Sequence, residues 1–292
     1  MMHGESTREA ASVVKPLSKA FILNIIIFLA ELFGGWWTGS LALLADAMHV
    51  GVDLMGMGLG LVAARMSSRP PDPKRTFGYK RVEVLAALGN GLGLWIAVGI
   101  MLREAYGRFV FPTPVAAPQM IGFAALGLTT NIAVGFILYP SSRQNINARG
   151  VFLDAVCDAA GSLGALVAGA VILKTRWYQA DSIAGVLICV AIVITSFRLL
   201  RDSIHILLEG APAHLDLEEI REALAALPGV KEVHDLHLWS LTQGSESMSG
   251  HLVVNPGQDS AEVLKAGGKL LEDKFNLSHV TLQIEEGEKN KT

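Results

Sequence analysis

Charge is scarce in this chain and cysteine is nearly absent. Only 17% of its 292 residues are charged while 51% are hydrophobic, a balance that excludes a single water-soluble globule. The two cysteines, Cys157 and Cys189, both fall inside apolar stretches, so there is no disulfide framework and no need for an oxidising compartment. Positive charge is short in the last third: residues 207–292 carry 7 Lys+Arg against 15 Asp+Glu, which excludes nucleic acid as a partner of that segment. No HExxH string occurs, which removes the usual helical zinc-hydrolase signature. Residues 1–16 are polar and the first apolar run is long enough to remain as an anchor, so no cleavable signal peptide is expected.

What is present is a set of long apolar runs. A helix needs about 20 apolar residues to cross about 30 Å of hydrocarbon, and six stretches qualify, near 17–38, 41–64, 82–102, 117–139, 151–173 and 181–201. The expected organisation is a polar tail (1–16), a six-helix membrane domain (17–206, net +5) and an acidic domain (207–292, net −8). Six spans put both termini on one side. Thirteen Lys and Arg lie at the amino terminus (Arg8, Lys15 and Lys19), in the 65–81 and 140–150 loops and at the exit of span six, against four (Arg103, Arg108, Lys174 and Arg176) on the other face. That asymmetry predicts cytoplasmic termini.

Ionisable residues inside the spans are the informative ones, because each costs about 2.5 kcal/mol or more in hydrocarbon. His49 and Asp53 in span two are four residues apart, as are Asp154 and Asp158 in span five, so each pair projects from one helix face a turn apart. Facing each other, the pairs supply one imidazole and three carboxylates. Without a cation the acids repel one another. A divalent ion removes that repulsion, and nitrogen-plus-oxygen ligation in four places suits Zn²⁺ while admitting harder ions such as Mn²⁺ or Fe²⁺. Metal release lets protons return to the ligands, so one site couples metal to protons. Two readings stand for Asp46, a partner orienting His49 or a helix cap. Cys157 reads first as a small buried hydrophobe, with a soft accessory ligand as the second reading. Cys189 and Glu31 carry no assigned role.

The acidic domain reads as helix, strand, strand, helix, strand. AHLDLEEIREALAALPG carries an apolar stripe at helical spacing and a Pro-Gly stop, VKEVHDLHLWSL alternates as a strand, and SMSGHLVVN, SAEVLKAGGKLLEDKF and SHVTLQIE follow as strand, helix and strand. This order predicts a small open α+β sheet with two helices on one face.

Four strings, SLALLADAMHVGVD, RTFGYKRVEVLAAL, NARGVFLDAVCDAAGSLG and VHDLHLWSLTQG, resemble in that order the cation diffusion facilitator family, with similarity from about residue 17 to 285. The resemblance implies a bacterial homodimer that exports cytoplasmic Zn²⁺, or a related divalent ion, in exchange for protons by alternating access. It places a transport site at His49, Asp53, Asp154 and Asp158 and a metallochaperone-like dimerisation domain at the carboxyl end. Asp154 stands where many zinc-transporting members have His, which widens the expected range to Cd²⁺, Co²⁺, Fe²⁺ and Mn²⁺. A second metal site of some members, in the 65–81 loop, is expected to be missing, since its His positions read Arg75 and Tyr79 with only Asp72 left; the 141–150 loop has no histidine. Arg81 matches a family lysine that pairs with an acid at the end of span six, best matched by Glu209, with Asp202 as rival. Tail residues His234, His237, His251, His279 and Glu285 are the implied regulatory metal ligands, His234 and His251 matching best, with Gln283 where some members have His.

Two rival functions compete with metal export. An intramembrane metalloenzyme needs an open coordination position, which four protein ligands do not leave. A proton-driven carrier of organic cations uses the acids but leaves His49 and the tail histidines unexplained.

Overall fold

The computed structural model describes residues 2–143 and 146–286, with the side chains of residues 2–15, 17 and 146–148 excepted. The side chains of Arg8 and Lys15, and residues Gln144 and Asn145 of the histidine-free loop, therefore lie outside the described residues. Helices α1 (Met2–Thr38), α2 (Leu41–Ser67), α3 (Arg81–Val110), α4 (Ala117–Ser142), α5 (Ile146–Thr175) and α6 (Gln179–Leu207) each hold a segment long and apolar enough to cross a bilayer. The large apolar side chains Trp36, Leu61, Phe136 and Ile194 point outward, as lipid-facing residues do.

Several helices outrun the expected apolar stretches. The α3 helix continues to Val110 with an Arg108–Glu104 ion pair of 2.9 Å on its last turns. Residues 2–16, expected as a polar tail, continue α1, with Pro16 inside the helix and the apolar span starting at Ser18. Hydropathy marks only the part of a helix that hydrocarbon can hold, whereas backbone hydrogen bonding runs on for as long as the residues allow it.

The chain divides into two compact units, and the division falls within α2, α3 and α6. The first comprises the chain up to Gly58 and Gly89–Arg198. Its core is built largely from small residues, Ala42, Ala45, Ala124, Ala165, Ala168 and Ala184, around Leu94 and Met120, which lets helix backbones approach closely. The start of α2 is tied to α6 by Asp181, which is 1% exposed. Its carboxylate accepts the Ser40 hydroxyl at 2.6 Å and the backbone N–H groups of Leu41 at 2.5 Å and Ala42 at 3.2 Å. Orphan donors at a helix start need such an acceptor, and this one reaches across from another helix.

The second unit joins Leu59–Leu88 to the chain from Leu199 onward. It contains α7 (Leu217–Ala225), β1 (Val230–Thr242), β2 (Ser245–Val254), α8 (Ser260–Phe275) and β3 (His279–Glu286), in the expected order. The sheet order is β1-β2-β3, antiparallel between β1 and β2 and parallel between β2 and β3. Gln243 and Gly244 form the two-residue β1–β2 turn, where Gly244 at φ +78 takes a conformation that a side chain would resist. Asp216 and Asp259 cap α7 and α8 through their side chains. The two helices pack on each other and on the sheet over a core that includes Ile220, Leu224, Met248, Leu252 and Leu271. Within this unit Lys80 donates to Ser245 at 2.7 Å, Thr242 donates to Glu83 at 2.9 Å, and Arg81 pairs with Glu209 at 3.0 Å. Asp202 pairs instead with its neighbour Arg201.

Candidate metal centres

In the first unit, α2 and α5 bring both sequence pairs together in part. The imidazole of His49 lies between two carboxylates, with Nδ1 3.6 Å from Asp53 Oδ2 and Nε2 3.6 Å from Asp158 Oδ1. Both distances exceed hydrogen-bonding range, and among the described residues His49 Nδ1, which faces Asp53, and Asp158 Oδ1, which faces His49 Nε2, are each buried without a hydrogen-bond partner. Asp154 joins Asp53 and Asp158 on the wall of a cavity of about 20 Å³ that also includes Asn24. Such a space holds about one water, and a bare dication is no larger. Asp158 also belongs, with Asp46, His49 and Cys157, to the wall of a groove of about 630 Å³ running along α5 and α6 as far as Trp177. Asp158 thus stands between cavity and groove.

The two carboxylates approach opposite ring nitrogens, so an ion held by one nitrogen and both acids requires the imidazole or a carboxylate to turn. The arrangement is that of two carboxylates held apart by the ring. Asp46 does not cap α2; Asp181 does that, and Asp46 accepts the Ser162 hydroxyl at 3.2 Å. Cys157, read first as a buried hydrophobe, is exposed on the groove wall, whereas Cys189 is buried. Asn24, Asp181 and Ser162 were not singled out in the sequence. The signal available for each was a polar residue inside an apolar run, which for uncharged side chains is weak.

The second unit holds a tighter group. Among the described residues, His234, His251 and Glu285 offer ligand atoms all within 4.8 Å of one another. His234 faces His251 across the β1–β2 ladder, and Glu285, two residues beyond the Gln283 that faces His251 on β3, presents the same face. Glu285 lies 3.1 Å from His234 Nε2 and 2.8 Å from His251 Nδ1; the second approach is an ion-pair distance without hydrogen-bond alignment, since His251 Nδ1 has no hydrogen-bond partner. The hydrogen bond from His234, with a smaller contribution from His251, holds the Glu285 carboxyl below its ordinary range, so it keeps its charge to lower pH than a free carboxyl does. A bulge in β1 between His234 and His237, where Asp235 takes φ +51, turns the strand. His237 therefore lies outside the group and contacts Asp235 at 3.1 Å, while His279 stacks edge-on against Phe77. In the 65–81 loop, the carboxylate of Asp72 accepts the Tyr79 hydroxyl at 2.7 Å and the N–H groups of Lys74 and Arg75, and the Tyr79 bond is the main reason its carboxyl sits below the ordinary range.

Residues 18–208 match the family model described as the cation efflux transmembrane domain, and residues 212–287 match that of the cation efflux protein cytoplasmic domain. The chain is 39% identical to the metal cation efflux system protein CzcD of Cupriavidus metallidurans over 276 residues, 93% of this chain and 86% of that protein. It is 35% identical to a cadmium, cobalt and zinc/H(+)-K(+) antiporter of Bacillus velezensis, covering 93% and 88%. It is 38% identical to the zinc transporter ZitB of Yersinia pestis, covering 93% and 87%. With two family domains in register and full-length relatives of this kind, the chain belongs to the cation efflux, or cation diffusion facilitator, family of membrane metal transporters and is not an enzyme.

Proposed function

We propose that this protein exports divalent metal cations, Zn²⁺ foremost and Cd²⁺, Co²⁺, Fe²⁺ or Mn²⁺ beside it, from the cytoplasm in exchange for protons. The observation that carries the reading is the His49 imidazole set between Asp53 and Asp158, with Asp154 on the cavity they share. When the site faces the cytoplasm, metal displaces protons from these side chains; when it faces outward, protons compete for the same atoms and discharge the metal. A mid-membrane site between helices suits alternating access. Relatives named as cadmium, cobalt and zinc transporters support this range of cargo. In this reading residues 17–206 form the membrane domain, 207–292 the sensing and dimerising domain, and the protein is a homodimer in the bacterial plasma membrane with both termini cytoplasmic, as its Lys and Arg distribution favours. The Arg81–Glu209 pair, more than a third exposed on both sides, is worth at most about 1 kcal/mol by itself, and its role is to fix the dimer contact.

The test is transport by purified protein in sealed vesicles. Zn²⁺ and Cd²⁺ enter when a proton gradient is present and stop when an ionophore dissipates it; equal uptake without a gradient refutes the coupling. Asp154→His replaces a hard oxygen ligand by nitrogen, so competition assays are expected to shift toward Zn²⁺ and Cd²⁺ and away from Mn²⁺. An unchanged metal profile removes Asp154 from selectivity.

His234, His251 and Glu285 supply three ligands of a regulatory cytoplasmic ion, leaving one position of a tetrahedral shell for water or another donor. Metal there favours one transporter conformation, a coupling between two sites. Glu285→Gln removes the charged ligand that faces both histidines, and zinc affinity of this second class of sites is expected to fall by at least about 100-fold in a binding titration, more than the loss of a merely orienting partner; full affinity in the variant refutes the assignment.

A further inference from the structure

We propose that Glu31 carries a proton that leaves the protein when metal binds, at a position separate from the four metal ligands; this deepens, and rests on, the proton-coupled reading above. Glu31 lies on α1, is 1% exposed, and among the described residues neither carboxyl oxygen has an aligned hydrogen-bond partner, its polar neighbours being Asp46 and Ser162. Its surroundings are assembled by three other helices. On α4, Gly127 has no side chain because Glu31 Oε1 occupies the place its Cβ would take, and Ser162 Oγ of α5 would lie 2.9 Å from that same Cβ. The Ser162 hydroxyl donates to Asp46 of α2 at 3.2 Å and accepts from the Asn131 amide of α4 at 3.5 Å. Asp46, Asn131 and Ser162 are all buried.

A bare carboxylate sealed in a membrane helix bundle without a donor loses its hydration and gains nothing in exchange, a cost of several kcal/mol at least. It must be accompanied by a proton or a cation. The titratable groups that α2 and α5 direct to this region are Asp46 and, one turn before Ser162, Asp158; α4 contributes only Asn131 and the bare backbone of Gly127. No base is among them to pair with an ionised Glu31. A hard cation takes six or more oxygens, whereas Ser162 and Asp46 are already bonded to each other and the Gly127 backbone closes one side. What fits is a proton.

The cluster is also placed to respond to metal. Asp46 precedes His49 by one turn of α2, and Ser162 follows Asp158 by one turn of α5, so both helices that carry metal ligands carry its walls. A dication at His49 and Asp158 favours a negative charge on Glu31 through the low-dielectric interior. The O–H bond of the acid then breaks, the carboxylate remains, and the proton passes to water, so that each metal displaces one proton more than its own ligands supply.

The experiment saturates the purified full-length protein with Zn²⁺ in weak buffer and counts protons released per protomer with a pH dye. Glu31→Gln is expected to release about one proton fewer than the wild type, and an unchanged count overturns the proposal. Because the count is taken at saturation, with equal zinc bound per protomer, it is independent of any change in affinity. Infrared difference spectra of the wild type, with isotope-labelled glutamate, are expected to show a protonated glutamate lost on zinc addition; no such loss overturns the proposal even if the glutamine variant fails to fold. Zinc binding that depends on K⁺ in the wild type but not in Glu31→Gln likewise overturns it, in favour of an alkali cation. If wild-type vesicles move metal without protons, the exporter reading fails instead, and the two failures are separable.

Discussion

Asp158→Ala abolishes metal transport, with initial rates in vesicles falling by at least about 100-fold. Removing a residue that merely orients a ligand costs about 10–100-fold, and in the proposed site Asp158 is a ligand itself. Its carboxylate stands 3.6 Å from His49 Nε2 on one side and lines the small cavity with Asp53 and Asp154 on the other. Truncation takes away charge where a dication must be held and leaves His49 with an acid on one nitrogen only. Asp53→Ala removes the opposite partner and is expected to give the same loss. Asp202→Ala, at an exposed pair with Arg201, serves as the comparison and is expected to transport normally. Undiminished export in Asp158→Ala refutes the assignment of the site, whatever the cargo.

The second large effect is expected at a residue that touches no metal. Asp181→Ala removes the acceptor for Ser40, Leu41 and Ala42 at the start of α2. Each buried donor left without a partner costs about 1–3 kcal/mol, so three cost on the order of 3–6 kcal/mol after partial relaxation. Melting temperature in detergent is expected to fall on the order of 10 °C, and transport falls with it because α2 carries His49 and Asp53. Asp181→Asn retains one carbonyl oxygen able to accept, and is expected to lose about half as much. An Asp181→Ala variant as stable as the wild type shows that water or backbone rearrangement replaces the cap. Stable protein without transport points instead to a direct part for Asp181 in the ion path.

The consequences for the cytoplasmic unit are of a different kind. Its site rests on strand pairing, so ligand spacing is set by sheet register: His234 and His251 are direct cross-strand neighbours and Glu285 lies on the same face of the adjoining strand. A one-residue slip would send Glu285 to the other face. The bulge beside His234 has the same importance for His237, which loses its place in the group there.

Much of this molecule was legible in the order of its residues. Apolar runs gave six spans because hydrocarbon thickness imposes a minimum length, and four-residue spacing put His49 with Asp53 and Asp154 with Asp158 on single helix faces because a helix repeats every 3.6 residues. Period-two alternation, an apolar stripe at helical spacing and a Pro-Gly stop located the strands and helices of the acidic unit. Those are local rules, acting within a few residues. Tertiary structure alone decided that the imidazole of His49 separates two carboxylates, that Asp181 of α6 caps α2, that Cys157 faces a groove, and that Glu31 is sealed beside Ser162 and Asp46. Each of these brings together residues from different helices, and no periodicity along a chain records which helices will touch or which side chain will be left there without a partner.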